Sequence, residues 1–142
     1  MKRKILLFPL MLGGMLLLGA CAEPENSSSE AAMTYIKSVS LYDTINDIYA
    51  NPDSYLGKQY HMVGSLYPSE DDDGEKFYSI YAKPQSSNAE GIGIELDWSD
   101  YSGFSDYDKV TVEGTLEKQN RLHHGETAEF VVLKVSLLEK RE

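Results

Sequence analysis

Three histidines are the side chains of this sequence best suited to bind a transition metal, because imidazole is a common ligand of such ions. His123 and His124 are adjacent in a polar stretch, residues 120–127, that we interpret as a loop. His61 alternates with Tyr60 and Met62 along a predicted strand, so its ring should face solvent. A divalent cation bound by these histidines and nearby carboxylates is one hypothesis, and it requires His61 to meet the loop in space. The pattern favours exposed histidines in a hairpin.

An acidic run, Asp71–Asp73 followed by Gly74, raises the question of calcium, since hard cations take carboxylate oxygens. An EF-hand loop needs suitable ligands at its first and last positions as well. In the register that uses this run, those positions hold Ser69 and Ile80. We therefore interpret the run as a solvated acidic hairpin.

The sequence carries none of the common catalytic motifs. It has no Gly-x-Ser-x-Gly nucleophile motif and no glycine-rich phosphate loop. Its single cysteine, Cys21, also excludes an intrachain disulfide. Glu95 and Asp97 lie two residues apart on a presumed solvent face, as in any charged strand. The sequence therefore predicts that the protein is not an enzyme.

The charge balance excludes one class of partner. The chain has 13 Lys and Arg against 23 Asp and Glu, a formal net charge of -10. Three of the basic residues are Lys2, Arg3 and Lys4, so the remainder is more acidic still. Nucleic-acid binding needs a basic surface that releases counterions from phosphates, so we predict no nucleic-acid partner.

The chain opens with a basic segment and an apolar run, Ile5–Leu18, as a secretory signal peptide does. Leu18-Gly19-Ala20-Cys21 follows and resembles the bacterial lipobox. The resemblance implies cleavage between Ala20 and Cys21 and a diacylglycerol lipid on Cys21. Two acyl chains give stable membrane attachment, which would place the protein on the outer face of the bacterial cell membrane. An uncleaved anchor and cleavage without lipidation are the alternatives.

Three regions follow from this interpretation. Residues 1–20 are the predicted lipoprotein signal peptide. Residues 21–33 are rich in Ala, Glu and Ser and bury too little apolar surface to fold, which predicts a flexible tether. Residues 34–142 contain all ten tyrosines and form the predicted folded domain.

The folded region begins with residues 35–42, which we interpret as an extended segment. Ile45, Ile48 and Tyr49 share one helical face, which predicts a short helix starting at Asp43 or Thr44 and ending before Pro52. Clean period-two alternation then predicts five strands. These strands cover residues 59–67, 77–83, 91–98, 109–118 and 129–138.

Five short strands with turn-rich connections suggest a small barrel or sandwich, and two features favour an OB-type barrel. Gly64 and Gly114 lie within two of the strands, where a barrel coils sharply and a side chain would obstruct. The longest stretch without alternation falls between strands three and four, where an OB-fold carries its helix. We therefore predict a mainly β fold, a small five-stranded OB-like antiparallel barrel preceded by one short helix.

Two short motifs carry a family resemblance. Tyr55-Leu56-Gly57-Lys58 precedes the first long strand, and Val110-Thr111-Val112-Glu113-Gly114 lies within the fourth. With the closing strand they resemble a group of uncharacterised Gram-positive bacterial lipoproteins with an OB-like domain, over residues 44–138. Some of those proteins carry a cysteine pair before the third strand. This chain has Ser87-Asn88 there, so thiol or metal chemistry at that point does not carry over.

OB barrels bind extended ligands on the outer side of strands two and three. The ligand-binding candidates there are Tyr78, Tyr81, Glu95, Asp97 and Tyr101. The tyrosine rings, with Phe104 and Tyr107 in the next loop, suit sugars or peptide side chains. The carboxylates favour a cationic or neutral ligand over phosphate. The predicted function is a membrane-anchored extracytoplasmic binding or scaffolding module for an envelope protein, peptide or glycan partner. The alternative is a metal-handling accessory lipoprotein.

Overall fold

A computed structural model describes residues 31–86 and 88–142 of the chain. The predicted signal peptide, the predicted lipid attachment at Cys21 and most of the predicted tether lie outside these residues. The elements are β1 (Thr34–Ile36), α1 (Ser38–Ala50), a 3-10 turn (Pro52–Ser54), β2 (Gln59–Glu70), β3 (Lys76–Ala82), β4 (Ile92–Asp97), β5 (Lys109–His123) and β6 (Glu126–Lys140).

Five strands close into a barrel. The sheet order is β1-β2-β3-β4-β6-β5, and β5 pairs again with β2. The predicted OB-like barrel with one preceding helix is confirmed. The sheet is mixed rather than wholly antiparallel, because β6 lies between β4 and β5, running parallel to β4 and antiparallel to β5. The added strand β1 runs parallel to β2.

Helix α1 begins earlier than the sequence suggested. The expected extended segment ends at Ile36, and the helix starts at Ser38 rather than at Asp43 or Thr44. Leu41, Ile45 and Ile48 are fully buried and follow the helical spacing i, i+4, i+7. Burial of this stripe against the barrel outweighs the local preference for an extended chain, so the strand prediction for residues 38–42 is wrong.

The predicted loop over residues 119–127 is also wrong. Strands β5 and β6 continue as a paired hairpin to a two-residue turn at His124 and Gly125. Both turn residues have positive φ, 51° and 76°, as a type I′ hairpin turn requires. Most side chains at the hairpin end are polar, so the sequence there lacked the alternation that marks a half-buried strand.

The two strand glycines lie at close approaches, as predicted. A Cβ at Gly64 would lie 2.7 Å from Leu41 Cδ2, so α1 packs directly onto β2 there. A Cβ at Gly114 would lie 2.4 Å from the Lys134 carbonyl oxygen, beside a β-bulge between β5 and β6. The bulge shifts the alternation of β6 by one residue. Leu138 therefore lies in the core, and Leu137 is only partly buried.

Candidate functional site

The structure separates the five ligand-binding candidates. Tyr78 and Tyr101 contact each other, with ring centroids 4.4 Å apart, and both pack against the core. The Tyr78 hydroxyl donates to Asp106 over 2.9 Å. Burial raises the pKa of Tyr101 far above its ordinary value. These two rings therefore complete the core rather than present a free stacking surface.

Glu95 and Asp97, both on β4, form ion pairs with one arginine from β5. Arg121 on β5 places its Nε 3.4 Å from Glu95 and its Nη2 3.2 Å from Asp97. The Gln119 amide donates to Asp97 over 3.0 Å, and this bond, with the Arg121 charge, lowers the pKa of Asp97. The two carboxylates are already paired within the chain.

His123, at the end of β5, lies between two carboxylates. Its Nδ1 is 3.0 Å from Asp71 and its Nε2 is 2.9 Å from Glu95. The ring stacks on Phe77 with centroids 4.2 Å apart and meets the edge of Phe130 at 5.3 Å. Both nitrogens donate only when the imidazole is protonated. Burial lowers the pKa of His123, but the hydrogen bonds to the two carboxylates raise it by more.

We call Asp71, Glu95 and His123 the histidine clasp. It joins the β2–β3 loop to the β5–β6 hairpin, and the next residues add to the join: His124 Nδ1 lies 3.0 Å from Asp72, and the His124 amide donates to Asp71. The acidic run is thus only partly the solvated hairpin that the sequence suggested, since the Asp71 side chain is 14% exposed. These are the two loops between which OB barrels commonly bind ligands.

The three histidines do not meet. His61 pairs with Glu113 at 2.7 Å, and Glu113 precedes His123 on β5 by ten residues, or about 33 Å along an extended strand. In the histidine clasp, the carboxylates contact opposite nitrogens of one ring and do not converge on a common point. Residues 31–86 and 88–142 contain no group of three or more His, Cys, Asp or Glu arranged to hold a metal ion.

Tyr81 belongs to a different surface, which the sequence did not identify. Its ring stacks on Tyr67 with centroids 4.6 Å apart, and Tyr67 meets the edge of Tyr107 at 5.8 Å. Tyr107 is 63% exposed and has a φ of 69°, which is rare for a bulky residue. We call the surface formed by these three rings the tyrosine cleft. It lies at the opposite end of β3 from the histidine clasp.

A cavity of about 650 Å³ opens beside the tyrosine cleft. It is lined by Ser38, Val63, Gly64, Ser65, Tyr81, Ala82, Lys83, Tyr107, Lys109, Arg141 and Glu142. A smaller cavity of about 410 Å³ shares Tyr81 and Lys83 and continues past Tyr67 to residues 88–91. The two cavities share these two lining residues, and we refer to them together as the groove.

Most residues of this groove escaped sequence reasoning. Tyr67, Lys83, Lys109 and Arg141 come from distant parts of the chain and share no motif. The one available signal was the exposed side of β2 and β3, where Tyr67 and Tyr81 both fall. Only the closure of the barrel brings the start of β5 and the end of β6 beside them.

Comparison with known proteins adds no family: the chain matches no protein-family model, and no curated protein matches it in sequence. Over the described residues, no helix is both long and apolar enough to cross a bilayer.

Proposed function

We propose that this protein is a membrane-anchored, extracytoplasmic OB-like module that binds an envelope glycan, peptide or protein partner in the tyrosine cleft. The observation that carries the proposal is the cluster of Tyr67, Tyr81 and Tyr107 around an open groove. Exposed aromatic rings beside a cavity are suited to stack on sugar rings or on peptide side chains.

The charges favour the tyrosine cleft as the binding site. The alternative is the surface between the β2–β3 loop and the β5–β6 hairpin, where OB barrels commonly bind ligands. On that face Glu95, Asp97, Arg121 and His123 are one another's partners. A ligand there would have to break these pairs and leave partly buried charges unsatisfied, which costs several kcal/mol by general estimates. The tyrosine cleft offers the exposed rings of Tyr67 and Tyr107 at no such cost.

Binding rather than catalysis is the proposed activity. The lining of the 650 Å³ cavity contains one carboxylate residue, Glu142, and neither histidine nor cysteine. We do not favour the metal-handling alternative, because His61, His123 and His124 each contact a carboxylate as a hydrogen-bonding partner.

The proposed membrane attachment rests on the sequence. The lipobox-like Leu18-Gly19-Ala20-Cys21 supports a diacylglycerol lipid on Cys21, and residues 22–33 are the proposed flexible spacer. The resemblance to Gram-positive lipoproteins supports the same location. An anchored module would meet its partner at the outer surface of the membrane.

Binding to isolated bacterial cell envelopes tests the role of the tyrosine cleft. The full-length lipidated protein, in non-ionic detergent, is sedimented with envelope fragments, and the bound fraction is measured. Tyr67→Ala combined with Tyr107→Asn should reduce binding about tenfold or more, as the loss of two stacking contacts predicts.

A matched control removes two exposed apolar side chains elsewhere. Tyr35→Ala with Leu122→Ala takes away side chains that are 70% and 64% exposed and lie outside the groove. The control variant should bind as the unmodified protein does. Equal loss in both variants, or no loss in either, would reject the tyrosine cleft as the binding site.

A further inference from the structure

Three cationic side chains line the cavity beside the tyrosine cleft: Lys83, Lys109 and Arg141. Within residues 31–86 and 88–142, none of the three forms an ion pair. Five of the seven other cations in these residues form ion pairs, namely Lys76, Lys118, Arg121, Lys134 and Lys140. Lys37 and Lys58 also form none, but they lie outside the cavity lining. A chain with a net charge of -10 therefore leaves three positive charges together and unpaired at one cavity.

The wall of this cavity adds polar donors. Ser38 is the first residue of α1, a helix of 13 residues, so the positive end of the helix dipole lies at the wall. No side chain caps this end and no acidic residue occurs in the first turn. Ser65 adds a hydroxyl, and Arg141 is oriented by donating to the Thr111 hydroxyl over 3.2 Å. Glu142 is the one acidic side chain in the lining.

We propose that this cavity is an oxyanion subsite: it binds a phosphate or carboxylate group of the ligand whose rings stack in the tyrosine cleft. The inference rests on the proposed function and narrows its ligand to an anionic one, opposite to the cationic or neutral ligand that the sequence favoured. Arg and Lys form charge-assisted hydrogen bonds with both groups. The acidic remainder of the surface repels an anion, so binding is confined to this cavity.

The test titrates the full-length lipidated protein, in non-ionic detergent at low salt, with inorganic pyrophosphate and separately with citrate, by calorimetry. Lys83→Gln, Lys109→Gln and Arg141→Gln together should weaken binding of the better probe about tenfold or more. The matched control is Lys58→Gln, Lys118→Gln and Lys134→Gln, which removes the same charge outside the cavity and should change the affinity less than about twofold.

Tight binding of pyrophosphate alone assigns the subsite to phosphate, and tight binding of citrate alone assigns it to carboxylate; both results support the inference. Binding of neither probe, or equal weakening by both triple variants, overturns it. The envelope assay separates this outcome from failure of the proposed function. If Tyr67→Ala with Tyr107→Asn abolishes envelope binding while the cavity variant leaves it unchanged, the module stands and the oxyanion subsite falls.

Discussion

His123 is the residue whose protonation most directly affects the fold. Its raised pKa means that its stabilising contribution is fully present below the ordinary value of 6.5 and is lost as the pH rises through the folded-state value. Asp71 has the opposite sign. The hydrogen bond from His123 lowers the pKa of Asp71, so its contribution is present above 3.8 and is lost as the pH falls through the lowered value. The histidine clasp is therefore strongest between these two limits.

Replacing His123 tests this pH dependence. His123→Gln removes a charged partner of Glu95 and Asp71 and should lower the free energy of unfolding at pH 5.5 by about 1–3 kcal/mol. The unmodified protein should lose stability between pH 6 and pH 8, and the variant should lose much less. Urea denaturation at both pH values measures the two effects.

His124→Gln serves as the control for that experiment. His124 is 62% exposed and pairs with an exposed Asp72, so its loss should change stability far less than the loss of His123. A protein that becomes more stable between pH 6 and pH 8, or a His123→Gln variant that keeps the full pH dependence, would contradict the histidine clasp.

Tyr107 combines an unfavourable backbone conformation with an exposed ring, which suggests selection for binding. A left-handed conformation costs a non-glycine residue about 1–3 kcal/mol, whereas an aromatic pair such as Tyr67 with Tyr107 contributes about 0.5–1.5 kcal/mol. Asparagine tolerates this conformation. Tyr107→Asn should therefore leave the free energy of unfolding unchanged or raise it, while envelope binding falls.

Denaturation and envelope sedimentation on the same preparation check the Tyr107 prediction. Tyr35→Ala, at an exposed ring with ordinary backbone, should affect neither measurement strongly. A Tyr107→Asn variant that is markedly less stable would show that the ring serves folding rather than binding.

Helix α1 stabilises the domain by packing its buried stripe against the barrel. Leu41 is fully buried and reaches the space that a side chain at position 64 would fill. Leu41→Ala should lower the free energy of unfolding by about 2–5 kcal/mol, as large-to-small changes in buried sites do.

Val39 provides a control on the same helix. It is 62% exposed, and Val39→Ala should change stability by less than about 0.5 kcal/mol. Chemical denaturation of both variants checks the pair. Similar effects at the two positions would contradict the buried stripe of α1.

The sequence predicted the barrel strands well because apolar and polar residues alternate in them, and the apolar ones are buried. Ile94 and Leu96 on β4, and Val110 and Val112 on β5, are buried where period two placed them. Prediction from the sequence failed where tertiary contacts determine the secondary structure. The first turn of α1 forms because Leu41 packs against the barrel, and the outer part of the β5–β6 hairpin is held by pairing rather than by an apolar face.

The proposed binding surface was the hardest feature to predict, because residues from distant parts of the chain form it. Of the aromatic residues predicted to stack on a ligand, only Tyr81 and Tyr107 lie in the tyrosine cleft. Lys109 begins β5 and Arg141 follows β6, and these ends meet only because β5 and β6 pair along their whole length. From the sequence alone, Glu95 and Asp97 are predicted to be free to bind a ligand. The sequence does not show that Arg121 pairs with both of them.

The proposed membrane anchor gives a prediction for the full-length protein. Cys21→Ser removes the only thiol that can carry a thioether-linked lipid, so the protein should move from the membrane fraction to the soluble fraction. The barrel should unfold at the same denaturant concentration as before. Fractionation and intact-mass spectrometry measure both forms, and a serine variant that stays membrane-bound would contradict the lipid anchor.

Site-specific photocrosslinking in intact cells tests whether the tyrosine cleft binds an envelope partner. A benzophenone amino acid replaces Tyr67 in the tyrosine cleft, and in a second strain it replaces Tyr35 on β1. Irradiation should join the anchored protein to one discrete envelope component from the position of Tyr67 and not from that of Tyr35. If both positions give the same adduct, or if the position of Tyr67 gives none, the tyrosine cleft is not the binding site.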